Sequence, residues 1–146
     1  MHLHEIRPFK ADHLWGLKGV VNFGRLMKEA RTVYESHPGW SGFCDGKLIA
    51  SIGIIVPYPG LGEAWAVITP LGHQHALWLH RHVKSGILSL SEALKLRRLQ
   101  ATVKANFPEG RRWAESLGFV AEAILEGWGP DGSDYVMYKR MMTWPT

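Results

Sequence analysis

GEAWAVITPLGHQHALWLHRHVKSGILSL, residues Gly62 to Leu90, is the stretch whose reading decides the fold. Glu63 to Thr69 combines small, aromatic and β-branched residues and reads as a buried strand. From about His73 the residues Ala76, Leu79, Val83, Ile87 and Leu90 form one apolar stripe at helical spacing. Gly86 lies inside that helix and allows close packing or a kink. Pro70, Leu71 and Gly72 stand between the two elements, so strand gives way to helix across a tight corner. A helix beginning there points unpaired backbone N–H groups and a positive dipole end outward. Such an end is a general site for phosphate or another anion.

Upstream, His2 to Arg7 alternates and reads as a short strand ended by Pro8. Asp12 is placed to N-cap a helix through Leu17. Leu26, Met27, Ala30, Val33 and Tyr34 recur as an amphipathic helix, closed by His37-Pro38-Gly39. Trp40 to Cys44 and Lys47 to Val56 read as strands around Asp45-Gly46, a dipeptide suited to a tight hairpin. Pro57 to Gly62 reads as a loop. Downstream, Arg97 to Val103 is a strand, and Asn106 and Pro108 open a helix through Leu117, stopped by Gly118. Phe119 to Trp128 and Ser133 to Met141 are strands joined at Pro130-Asp131-Gly132. The order β-αα-βββ-α-β-α-ββ predicts one α/β domain over residues 1–146, a mixed and mostly antiparallel sheet flanked by helices.

At 146 residues the chain is large enough to bury a core, and its 46% hydrophobic and 21% charged content fits a soluble globular protein. No apolar run approaches the roughly 18 residues that span a bilayer. The opening MHLHEIRPFK lacks the apolar middle of a signal peptide. A net charge of +4 without a basic block points to a solvated mixed surface rather than nucleic-acid binding. The single cysteine, Cys44, excludes an intramolecular disulfide and suits a reducing, cytoplasmic setting. It has no basic neighbour in sequence, so nucleophilic use is not expected. His73, His75, His80 and His82 invite a metal, but useful helical pairs stand three or four residues apart. These stand two, five, seven and nine apart, and no metal site is expected.

Four segments together resemble the GCN5-related N-acetyltransferase family over nearly the whole chain. They are Ile6-Arg7-Pro8 with Asp12, Ala66-Val67-Ile68-Thr69-Pro70, Trp113-Ala114-Glu115-Ser116-Leu117-Gly118-Phe119, and Asp134-Tyr135-Val136-Met137-Tyr138-Lys139-Arg140. The resemblance implies acetyl transfer from acetyl-CoA, as cosubstrate, to an amine on a small molecule or a protein. In that family the fourth and fifth strands splay to admit the pantetheine arm. The resemblance then places the arm along Val67 and Ile68, with the Ile68 N–H polarising the thioester carbonyl. It places the pyrophosphate on the amides of Gly72, His73, Gln74, His75 and Ala76.

The sequence also departs from that family. Its phosphate loop carries Gln or Arg, two residues, Gly, one residue, then Gly or Ala. Here the matching segment is His73-Gln74-His75-Ala76-Leu77-Trp78, and side chains there limit close approach of backbone to phosphate. Ala114 stands where many members carry the tyrosine that protonates the leaving thiolate. Phe107 replaces a common asparagine, with Asn106 one residue earlier. A shortened corner and the alanine at the tyrosine position also resemble an acetyltransferase-like internal virion protein family of short-tailed phages. That second resemblance implies a non-catalytic scaffold, partnered by virion proteins and located in the particle.

Glu63 shares a strand face with Trp65, Val67 and Thr69 and is the candidate general base for the amine, directly or through water; an exposed glutamate at a strand entrance is the competing reading. Tyr138, or Tyr135 on the opposite face, could replace the missing acid. Trp65 and Trp128 could wall an acceptor pocket. Core packing competes for all four aromatic residues. Arg111 and Arg112, at the start of the late helix, are candidates for the adenosine phosphate, against a simple solvated face. A homodimer through the meander's edge or the closing strands stays open.

Overall fold

A computed structural model describes residues 3–18, 21–23 and 34–145. The helix expected from Leu26 to Tyr34 lies, except for Tyr34, outside the described residues. The strands are β1 (His4–Pro8), β2 (Val21–Phe23), β3 (Gly39–Cys44), β4 (Lys47–Tyr58), β5 (Leu61–Ile68), β6 (Arg98–Lys104), β7 (Val120–Leu125) and β8 (Tyr135–Met141). The helices are α1 (Pro70–Gln74), α2 (Ala76–Ala93) and α3 (Pro108–Ser116). The sheet order is β1-β3-β4-β5-β6-β8-β7, with β2 off that path and paired to β5. Only β5 and β6 run parallel; every other described pair is antiparallel.

Two turns set the meander. Asp45 (φ 50°) and Gly46 (φ 80°) both take positive φ, the conformation whose twist matches a two-residue hairpin. The loop expected over Pro57–Gly62 is instead closed down to a turn, with Tyr58 opposite Leu61 and Gly60 at φ 93°. Pro57 is tolerated because the register shifts between Ile55 and Tyr58, where a missing ladder donor costs nothing. The helix expected from Asp12 is a short 3-10 turn, Ala11–Leu14, and its N-cap is Lys10.

One face of the sheet is covered by α2 and α3. Leu79, Val83 and Ile87 of α2 and Ala114 of α3 are buried there against Ile52, Ile54, Leu99 and Tyr138. Trp40 lies over Gly86, where a Cβ would come within 2.8 Å of its ring, so the glycine serves close packing. On the opposite face, among the described residues, Phe9, Leu14, Trp65 and Val67 form a second cluster. Beneath them His13 Nδ1, Ser41 Oγ and Ser51 Oγ make a chain of hydrogen bonds of 2.7 Å each. No helix among the described residues is long and apolar enough to cross a membrane.

Candidate functional site

β5 and β6 define the site by parting. Their register covers Leu61, Gly62 and Glu63 against Arg98, Leu99 and Gln100, and stops there. Beyond that point β5 continues to Ile68 and β6 to Lys104, and the gap between them is lined by small residues such as Ala64, Ala66 and Ala101. In the described structure β2 lies along the freed edge of β5, with Val21 opposite Ile68, Asn22 opposite Val67 and Phe23 opposite Ala66. The Thr69 N–H donates to Ile49 O (3.0 Å), so Thr69 faces β4. By the alternation of an antiparallel ladder, the Ile68 amide points to the other side, toward Val21.

The corner after β5 is more structured than a bare turn. Thr69 N-caps α1: its Oγ1 accepts from the Gly72 N–H (3.2 Å) and lies 2.8 and 2.9 Å from the carbonyls of Leu48 and Ile49 as donor. Pro70 occupies the first helical position, which suits its fixed φ and missing donor. The Gly72 N–H also reaches Thr69 O (2.9 Å). A Cβ on Gly72 would sit 2.5 Å from Ile49 O, so this glycine holds the corner against β4. The chain breaks helix at His75 and restarts at Ala76. The His75 carbonyl receives Leu79 N–H (2.9 Å), which leaves the amides of Ala76, Leu77 and Trp78 at the open end of α2.

That end meets a cleft of about 260 Å³ between the corner and the start of α3. Ile68, Gly72, His73 and Ala76 line one wall, and Phe107, Glu109 and Trp113 the other. His80 also lines it and accepts a hydrogen bond from Trp113 Nε1 (3.1 Å). His75 and Gln74 are outside this lining: Gln74 is exposed, and His75 Nδ1 stands 3.2 Å from His4 Nε2. Asn106 is exposed at the foot of α3, and exposed Arg112 lies 3.9 Å from Glu109. Arg111 Nε donates to the hydroxyl of Tyr138 (3.0 Å), a side chain with no exposed surface.

On the opposite face of the splay, Glu63, Gln100, Thr102, Met137 and Trp128 line a small recess of about 30 Å³. Gln100 Nε2 donates to Glu63 Oε1 (2.9 Å), which fixes the carboxylate. Trp128 rests against Tyr135, ring centres 5.1 Å apart. Trp65 is not in this recess; it is buried against Phe9 and Tyr34. Glu63 and Trp128, distant in sequence, thus share one recess, while Trp65 belongs to the core beneath the 3-10 turn.

Spacing along the helix also hid a donor set. His4, Cys44 and His75 bring ligand-type atoms within 4.8 Å of one another. No sequence spacing signals this set: the register of β1 on β3 sets His4 opposite Cys44. His80, which the sequence offers only as a metal ligand, lies in the cleft because α2 turns it toward Trp113.

No family model matches the sequence, and no curated protein is similar to it at the sequence level. Solved structures share the arrangement closely. The ribosomal-protein-S18-alanine N-acetyltransferase of Escherichia coli has a TM-score of 0.75 at 14% identity, over 99% of this chain and 97% of that one. Ard1 of Thermoplasma volcanium has 0.74 at 15%, over 97% and 99%. An acetyltransferase of the GNAT family from Streptococcus pneumoniae has 0.73 at 17%, over 96% and 100%. The chain therefore has the fold of the GCN5-related N-acetyltransferases, a single α/β domain on a mostly antiparallel open sheet. The resemblance to virion proteins has no counterpart among these three.

Proposed function

We propose that this chain is an N-acetyltransferase that takes its acetyl group from acetyl-CoA and passes it to an amine, in the cytoplasm. The observation that carries the reading is the divergence of β5 and β6 after Glu63 and Gln100, opening on a cleft at the start of α2. Acetyl-CoA supplies an activated thioester when bound. The open amides of Ala76, Leu77 and Trp78 suit its pyrophosphate, with His73 at the lip. Gly72 acts through the backbone path it permits. Arg112, exposed in the early turns of α3 beside Glu109, is the proposed partner of an adenosine phosphate, and Arg111 could join it only by releasing Tyr138.

Glu63 is the proposed base. Held by Gln100, its carboxylate takes the amine proton as nitrogen attacks the carbonyl carbon, directly or through a water. The Ile68 amide is the proposed donor to the developing oxyanion. Tyr138 is the candidate acid only if Arg111 releases it, and a water serves otherwise. β2 and a pantetheine arm cannot both pair with the same edge of β5, so binding on this reading requires β2 to yield. A second reading, a scaffold without transferase activity, is favoured by that same placement of β2.

Calorimetric titration with acetyl-CoA tests the reading. Binding is expected, and Val21→Pro, which removes a donor facing Ile68, should tighten it by weakening the competing ladder. Glu63→Gln should keep binding and lose turnover on an amine panel. Absence of binding in both the unaltered chain and Val21→Pro would sink the transferase reading and leave the scaffold.

A further inference from the structure

His4 comes from edge strand β1, Cys44 from the end of β3, and His75 from the break between α1 and α2. His4 and His75 lie 71 positions apart, yet their ring nitrogens face each other at 3.2 Å. Two nitrogens bound tetrahedrally to zinc at their usual lengths stand about 3.3 Å apart. Cys44 is buried directly across the strand pair from His4. The set is two imidazoles and a thiol, borderline-soft donors that select zinc-like ions over magnesium or calcium.

We propose that His4, Cys44 and His75 form a zinc-type metal site that ties β1 and β3 to the corner ahead of α2. On binding, Cys44 gives its thiol proton to solvent and ligates as thiolate, the imidazoles ligate as neutral rings, and no electron is transferred. Water takes the fourth position. Burial, with the Asp45 carboxylate beside it, pushes the Cys44 thiol up from its ordinary value; a divalent cation reverses that balance. Asp45 Oδ2 lies 3.8 Å from Cys44 Sγ, placed to hydrogen-bond the metal-bound water.

The surroundings hold the donors in place. Trp78 stacks on His4 (ring centres 4.4 Å, 15°) and is itself seated on Gly42, where a Cβ would meet its ring at 3.2 Å. His82 Nδ1 donates to Trp78 O (2.8 Å) and its ring lies against the indole. These contacts are of the kind that orient metal ligands from outside. The site is independent of the transferase reading, since none of its donors lines the cleft or the Glu63 recess.

The test uses the untagged chain, stripped by a chelator, kept reduced and titrated with Co²⁺. The expected result is one cobalt per chain, with a sulfur-to-cobalt charge-transfer band and the intense d–d absorption of a tetrahedral ion, displaced by Zn²⁺. Cys44→Ser should lose the charge-transfer band, and His4→Gln should weaken cobalt binding by at least about tenfold. No such band in the unaltered chain, or a band that survives in Cys44→Ser, overturns the site. If Cys44→Ser does not fold, X-ray absorption of the zinc-loaded unaltered chain decides. One sulfur neighbour among nitrogens supports the site, and a shell of nitrogen and oxygen alone overturns it.

Discussion

β5 and β6 leave the base of the sheet as parallel partners, and each ends in a helix led by proline, yet the two corners are built in opposite ways. At the end of β5, Thr69 caps α1, Gly72 is pressed on Ile49, and the helix stops after Gln74. At the end of β6, Phe107 caps α3 without a side-chain hydrogen bond, and the helix runs from Pro108 to Ser116. The first corner occupies the Gly72 N–H itself and passes the open helix end on to α2. The second keeps its first turn at the wall of the cleft, with Glu109 there. A strand–proline–helix junction is thus receptive to an anion only where no side chain has already capped it.

The largest way to break this contrast is at Gly72. Gly72→Val forces a side chain onto the Ile49 carbonyl and the Ile68 side chain, and should cost about 3 kcal/mol in urea denaturation. Asn106→Ala, exposed at the other corner, should stay within about 0.5 kcal/mol. An equal loss at both would mean that the first corner is no tighter than the second. Thr69→Val removes the cap and the hydroxyl donor and should cost about 1–2 kcal/mol, read the same way. Pro70→Ala and Pro108→Ala should each cost about 0.5 kcal/mol, equally at the two corners, because proline at these positions acts through the unfolded chain.

The smallest effect belongs to the base of the splay. Arg98 Nη1 and Nη2 hold the two carboxylate oxygens of Glu122 at 2.9 and 2.7 Å, and Lys139 Nζ lies 3.1 Å from it. Hydrogen bonding by Arg98, then by Lys139, lowers the Glu122 carboxyl to about 2 from an ordinary 4.5. Because the folded value is the lower one, this clamp stabilises fully above pH 4.5 and its contribution is lost as pH falls toward 2. A pH series of thermal melts should show that loss, and Glu122→Gln should flatten it. An unchanged acid limb in Glu122→Gln would show that the clamp does not hold the base.

The elements that local chemistry specifies were legible. Asp45-Gly46 marks its hairpin, and the stripe of Leu79, Val83 and Ile87 marks α2. Pro70 and Gly72 make legible a tight corner into a helix from about His73, but not the short helix α1 within it, although Thr69 just before Pro70 is a capping signal. β2 escaped notice since three residues carry no period, and its place is set by the freed edge of β5. Glu63 and Trp128 were chosen from separate segments, and their shared recess depends on the pairing of β6 with β8. Trp65 shares a strand face with Glu63 but sits deeper, under Phe9. His4, Cys44 and His75 were out of reach of any spacing argument, because strand register and a helix break bring them together.

β7 closes the sheet with both of its faces largely in solvent, Val120 and Ile124 being 62% and 68% exposed. Its outer backbone is a template on which another extended chain can add, and the register shift between Ala121 and Ala123 is what discourages that growth. Acid therefore frees Arg98 and Lys139 together, and two unpaired cations then join the register shift in keeping a second chain from adding at this strand.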